Sequence, residues 1–313
     1  MKFPVNFGMT GHSGPAAGRW VRTGLNRFTR IIGVLALACL LPACSALKIF
    51  YNQAPDFAYW YLDGYVDFTG AQSLQVKDDL GKLQAWHRQT QLPAYIDTLR
   101  RLRQRMPADM DAGQVCAVFA DVRSKLVAVS HRAEPVVAAL VGTLQASQLT
   151  QLERQLAKGN ADYRETFLDG PPRKGRDKRY KQAVSRAEML YGPLEEKQLT
   201  VIGQRMDQSR FDAALFYAEK LRRQQDALQT LRALVAERAS AEKTRLALRG
   251  LMERWLNSPI AAHRDHLEGL TQEGCQTFAA LHNSTTPAQR SKALETLDAY
   301  EQDLRALSSA QKS

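Results

Sequence analysis

The chain has 313 residues and a formal net charge of +11, with 44% hydrophobic and 24% charged residues. Five of the basic residues, Lys2, Arg19, Arg22, Arg27 and Arg30, precede Cys44 and no acid does, so the remainder carries +11 − 5 = +6. That excess is too small to argue for nucleic acid as a partner, and the stretch from Cys44 to Ser313 suffices for one large domain or two small ones.

The first predicted element is a signal peptide. Ile31–Ala43 is an uninterrupted apolar run, too short to span a bilayer, behind a basic segment. It ends in Leu41-Pro42-Ala43-Cys44, a lipobox in which Cys44 is acylated and becomes the new N-terminus. Ala38-Cys39 sits mid-run and would leave an apolar tail on the product. A plain signal-anchor helix is disfavoured because Pro42 ends the run early. Residues 1–20 hold four glycines without apolar periodicity and are expected to be disordered, or to precede the true start near Val21. Ser45 is not the aspartate that retains many lipoproteins in an inner membrane. The expected destination is therefore the periplasmic face of a Gram-negative outer membrane. With Cys39 cleaved off and Cys44 lipidated, Cys116 and Cys275 are the thiols left in an oxidising compartment, and they are expected to pair.

From Cys44 on, the pattern is helical throughout. Asp56–Asp67 reads as a short aromatic helix carrying Phe57, Tyr59, Trp60, Tyr61 and Tyr65. Thr69 caps a helix to Gln91, and Pro93 opens the next, to about Arg105. Asp111 starts a helix to about Ser130, and Pro135 begins another. Asn160–Leu168 is helical, and Gly170-Pro171-Pro172 breaks it. Residues 170–181 then read as an exposed basic loop, with Arg173, Lys174, Arg176, Lys178, Arg179 and Lys181 against Asp177 alone. A helix holding Glu188–Tyr191 stops at Gly192-Pro193, and Leu194 begins another. Ser209 caps Phe211–Leu256, where leucines at spacings of three, four and seven make an amphipathic stripe. So long a stretch suggests a helical hairpin. Ala261–Asn283 and Pro287–Leu307 close the chain. The fold expected is all-α: one elongated helical bundle, residues 44–313, with one or more long hairpins.

A short pattern recurs at expected helix starts. Leu144-Gln-Ala-Ser-Gln148, Leu194-Glu-Glu-Lys-Gln198 and Thr285-Thr-Pro-Ala-Gln289 share Leu/Thr-x-x-x-Gln. In the last, Thr286 is a good N-cap, Pro287 occupies the first helical position and Gln289 can reach back to complete a capping box. In the first two, Gln145 and Glu195 replace the capping hydroxyl. Structurally the pattern is a helix-start device. It also resembles the Leu-Thr-x-x-Gln motifs of Spy and CpxP-type periplasmic chaperones, which implies a helical, cofactor-free protein able to bind unfolded clients.

A broader resemblance covers nearly the whole mature chain. Tyr51-Asn52-x-x-Pro55, Tyr59-Trp60-Tyr61-Leu62-Asp63-Gly64-Tyr65 and Trp86-His87-Arg88-x-x-x-Leu92-Pro93 resemble the N-terminal signature of an uncharacterised family of proteobacterial helical lipoproteins. The run Arg186-Ala-Glu188-x-x-Tyr191-Gly192-x-Leu194-x-x-x-Gln198, then Ser209-x-x-Asp212, is similar to it too. The resemblance implies a lipid-anchored helical periplasmic protein and brings no catalytic residue with it.

Catalytic constellations are thin. His263-Arg-Asp-His266 places two imidazoles on one helical face, with Glu268 and His282 candidates nearby, but no zinc-ligand spacing supplies a third ligand, and surface or capping histidines are expected. Cys116 and His131 make a poor dyad if Cys116 is bridged. No nucleophile elbow, phosphate loop or dinucleotide fingerprint occurs. No cofactor or metal is expected. Two candidate contact surfaces remain. Tyr59 and Trp60 follow closely on the lipidated cysteine, either as core of the first helical pair or at the headgroup zone. The basic residues of 170–181 form either a solvated loop or a dock for an anionic envelope partner. The function expected is a non-enzymatic, lipid-anchored envelope protein that binds other proteins or the envelope surface. A Spy-like holdase and an envelope hydrolase are the alternatives.

Overall fold

The computed structural model describes residues 44–310; the expected signal peptide, residues 1–43, lies outside them. The chain divides into two units after Ala46, and the unit that begins at Leu47 holds the core and every contact given below. Among the described residues there are eleven helices and no strand, as expected of an all-α bundle. They are α1 (Cys44–Asn52), α2 (Ala54–Val66), α3 (Gly70–Arg105), α4 (Ala112–Val141), α5 (Ala146–Phe167), α6 (Pro172–Tyr191), α7 (Glu196–Asp207), α8 (Ala213–Ala236), α9 (Ala241–Leu256), α10 (Ala261–Asn283) and α11 (Pro287–Ser309).

Two prolines expected to start helices sit inside them. Pro93 lies within α3 and Pro135 within α4. An interior proline forfeits one backbone hydrogen bond and costs about 3 kcal/mol, so tertiary contacts must offset it. Leu92 and Ile96 are buried beside Pro93. His87 and Tyr95, on the turns either side, bond at 3.2 Å, and Tyr51 of α1 bonds His87 at 2.9 Å. Beyond Pro135, Ala138 and Val141 are buried, and Glu134 pairs with Arg249 of α9 at 3.0 Å. Packing overrides the local stop signal in both places.

The stretch from Phe211 to Leu256 is a hairpin of two helices. Asp212 rather than Ser209 caps α8, its carboxylate accepting from the N–H groups of Ala214 and Leu215 at 2.8 and 2.9 Å. Ser240 caps α9. Between them Arg238 turns through the left-handed region at φ 46°, and α8 folds back on α9 while also packing on α5. The α5 helix begins at Ala146, at the start expected from Leu144–Gln148, and runs on through the segment from Asn160, expected as a helix of its own.

The long α3 lies chiefly along α11. On that seam the buried Glu301 carboxylate accepts from Arg100 Nε at 2.8 Å and pairs with Arg305, and the buried Asp303 pairs with Lys48 of α1 at 3.3 Å. The main core joins the end of α3 to α6, α7, α10 and α11 through Met106, Tyr191, Ile202, Leu281 and Leu297. A second cluster joins α4 to α10 through Val115, Cys275 and Ala279. The expected disulfide is there: Cys116 and Cys275 are bonded, with Cα atoms 5.4 Å apart.

Helix starts are tied together in pairs, beyond what the recurrent pattern alone conveyed. Gln198 and Gln289 are buried and exchange two amide hydrogen bonds of 2.7 and 2.9 Å. Each Oε1 also accepts the N–H of its own N-cap, Glu195 or Thr286. Each Nε2 also donates to the loop ahead of the other helix, Gln198 to the Ser284 carbonyl and Gln289 to the Pro193 carbonyl. Gln72 and Gln148 repeat this arrangement between α3 and α5, with bonds of 3.2 and 2.8 Å and outer acceptors at the Thr143 and Asp67 carbonyls. Every amide donor and acceptor is thereby satisfied inside the protein. The copies with Gln145 and Glu195 at the cap are as complete in this respect as the one with Thr286. Gln72, with Phe68 in the leading place and Thr69 at the N-cap, is a fourth copy that Leu/Thr-x-x-x-Gln passes over.

Candidate functional site

The aromatic segment is not core. No residue of α2 is buried. Phe57, Trp60 and Tyr61 share one face of the helix at spacings of three and four, and all three are exposed, Trp60 at 75%. Phe50 of α1 stacks on Phe57 with ring centroids 5.6 Å apart and is itself 63% exposed, as is Ile49 at 56%. The two candidate residues here part company. Tyr59 turns inward, donating to Ser73 Oγ of α3 at 3.0 Å beneath the Lys77 ammonium, whereas Trp60 faces outward. The core assignment thus holds in part for Tyr59 and fails for Trp60. A continuous apolar surface left open to water is the kind of patch that marks a contact site.

The basic loop is corrected to a helix. Pro172 takes the first turn of α6, where a missing N–H costs nothing, so Arg173 to Lys181 are helical. Their charges are largely anchored. Lys174 pairs with Glu165 at 2.8 Å and Arg176 with Asp207 at 2.7 Å. The half-buried Arg179 lies over the Phe211 ring, 4.2 Å from its centroid, and donates to Ser209 Oγ at 2.9 Å. Lys178 sits over the Phe167 ring at 5.6 Å. Arg173 and Lys181 remain exposed. The run therefore acts as helix surface and intramolecular pairing, because acids on α5 and α7 are within reach.

His263, His266 and His282 are interior rather than surface groups, whereas His131 is exposed. His263 and His266 are buried where α10 meets the α8–α9 hairpin, beside Glu219, also buried. Burial resists ionisation of Glu219, but hydrogen bonds from Arg222, Arg223 and Ser258 outweigh it and hold its carboxyl down at about 2. His263 Nδ1 lies 3.8 Å from that carboxylate, and burial lowers the imidazole pKa. His282 is elsewhere, in the main core. Its Nε2 faces the Ala108 carbonyl at 2.8 Å and must donate there, so Nδ1 accepts the Tyr191 hydroxyl proton at 2.9 Å. No group of three or more His, Cys, Asp or Glu placed to hold a metal ion occurs among the described residues. Sequence reasoning missed Glu219; its signal was arginines three and four residues later on one helical face.

Among the described residues, no helix is long and apolar enough to cross a membrane. Residues 64–256 match the model of DUF6279, a family of unknown function, and the chain belongs to that family. Of the stretches with recognisable character, Trp86–Pro93 and Arg186–Asp212 fall within the match, while Tyr51–Tyr65 lies almost wholly ahead of it. No curated protein and no solved structure matches the chain.

Proposed function

We propose that this member of DUF6279 is a non-enzymatic, lipid-anchored protein of the bacterial envelope that acts by surface contact, its α1–α2 face lying against the membrane that holds the anchor. The observation that carries this reading is the exposed set Ile49, Phe50, Phe57, Trp60 and Tyr61, which begins five residues after Cys44 in the chain. Aromatic side chains with an apolar body favour the interfacial zone of a bilayer. Expression of the full chain in a Gram-negative host, followed by mass spectrometry of the mature N-terminus and density separation of the membranes, tests it. An acylated Cys44 in the outer-membrane fraction supports the reading; unmodified protein in the soluble periplasm overturns it. A holdase would use the same apolar face, and suppression of client aggregation by the purified protein is the assay that favours that reading instead.

A further inference from the structure

A cavity of about 320 Å³ opens between α6, α7 and α10, beside the N-terminal part of α4. Its wall is carbon for most of its extent, including Phe119, Leu190, Ile202, Leu270, Phe278 and Leu281. Ile202 and Leu281 are buried, so the apolar end points into the main core. Arg179, Arg186 and Arg205 line the same cavity; Arg186 is exposed and Arg205 partly so, while Arg179 is held against the Phe211 ring. Carboxylates take up most cations nearby, as Lys174, Arg176 and Arg210 show, yet no carboxylate among the described residues forms an ion pair with any of these three guanidinium groups. Glu273, the one acid on the wall, is already held by Arg210 at 2.9 Å and by the Ser209 hydroxyl at 2.9 Å. The cavity is thus an apolar slot lined by two cations, Arg186 and Arg205, that no carboxylate pairs among the described residues, with Arg179 beside them already engaged by Ser209 and the Phe211 ring.

From that arrangement we infer a binding site for a single-chain anionic amphiphile, an acyl chain bearing a carboxylate or phosphate head. The volume is at the small end for ligand sites, about 300–1,000 Å³, which suits one chain and not a diacyl lipid. A neutral amphiphile would leave the Arg186 and Arg205 guanidinium groups unpaired, and a cationic one would be repelled; arginine forks match both carboxylate and phosphate oxygens. This site is separate from the α1–α2 face, and neither proposal depends on the other. Arg179 belongs to the basic segment whose charge first suggested an anionic partner.

The test is photoaffinity labelling of the purified full chain with a diazirine-bearing dodecanoate, the label mapped by peptide mass spectrometry. Labelling is expected on peptides containing Leu190, Ile202 and Leu270. Unlabelled dodecanoate or dodecyl phosphate should compete, and which of the two competes better identifies the head; dodecanol and dodecyltrimethylammonium should compete poorly. Arg186→Gln and Arg205→Gln, both changes at positions in contact with solvent, should each lower labelling about tenfold. Ala183→Phe, which fills the cavity, should abolish it while circular dichroism and the Cys116–Cys275 bond stay as in the parent. Label spread over the whole chain, equal competition by dodecanol, or undiminished labelling of both arginine variants overturns the assignment.

Discussion

The α1–α2 segment and the junction of α6, α7, α10 and α11 use opposite strategies. The first is rich in aromatic residues and buries none of those on α2. The second is built around polar groups, with Gln198 and His282 at 0% exposure and every hydrogen bond of both side chains made within the protein. Aromatic content alone therefore does not locate the core here. What locates it is polar satisfaction: a buried amide costs folding energy unless paired, and the glutamine pairs supply the partners from two helix starts at once.

The largest loss should come beside that junction, where the disulfide ties α10 to α4. Cys275→Ser removes a bridge whose cysteines stand 159 positions apart, and the loop-entropy model gives a loss of about 4–5 kcal/mol. Urea unfolding of the parent with and without reductant checks the figure. Next comes Gln198→Ala, which strands the Gln289 amide and the Ser284 carbonyl; about 2–3 kcal/mol is expected. Gln114→Ala sharpens the point, because Gln114 reaches back to its own N-cap at Asp111 but is exposed and has no partner amide. Its loss should cost only about 0.5 kcal/mol, the low end for a capping contact. Equal losses for the two glutamines contradict the pairing account. Tyr191→Phe leaves His282 Nδ1 without its donor and should cost about 1–2 kcal/mol by thermal unfolding.

Acid should act at three histidines, of which His282 alone belongs to that junction. Burial lowers the pKa of His87, His263 and His282. Each binds a proton more readily when unfolded, so the stability present above about pH 6.5 is lost as pH falls through the lower folded values. Glu219 adds a second loss between about 4.5 and about 2. Chemical denaturation midpoints should therefore fall from pH 7 to pH 5 and fall again below pH 4; a flat profile between 7 and 5 contradicts the buried neutral histidines.

The fold class, many helix ends and the disulfide were legible because capping residues, Gly-Pro breaks and the cysteine count are local or arithmetical signals. Pro93 and Pro135 misled because their cost is met by contacts from α1 and α9, distant in sequence. The basic run misled similarly: charge repulsion argued for a mobile loop, yet Asp207 and Glu165 lie on neighbouring helices. Arg179→Glu should consequently destabilise the fold by about 1–3 kcal/mol, whereas Lys181→Glu, at an exposed position, should change stability by less than about 0.5 kcal/mol.

The smallest expected effect on stability falls on the α1–α2 face, where the proposed contact with the membrane lies. Trp60→Ser should move the melting temperature very little, since the side chain is 75% exposed. The decisive measurement is fluorescence quenching in vesicles containing brominated phospholipid, using the lipidated chain with Trp86 and Trp255 replaced by Phe so that Trp60 reports alone. A control chain with Trp60 and Trp86 replaced retains Trp255, which is also exposed at 52%. A membrane-facing α1–α2 surface predicts a blue-shifted, strongly quenched Trp60 and an unquenched Trp255. Equal quenching of both, or none at Trp60, contradicts it.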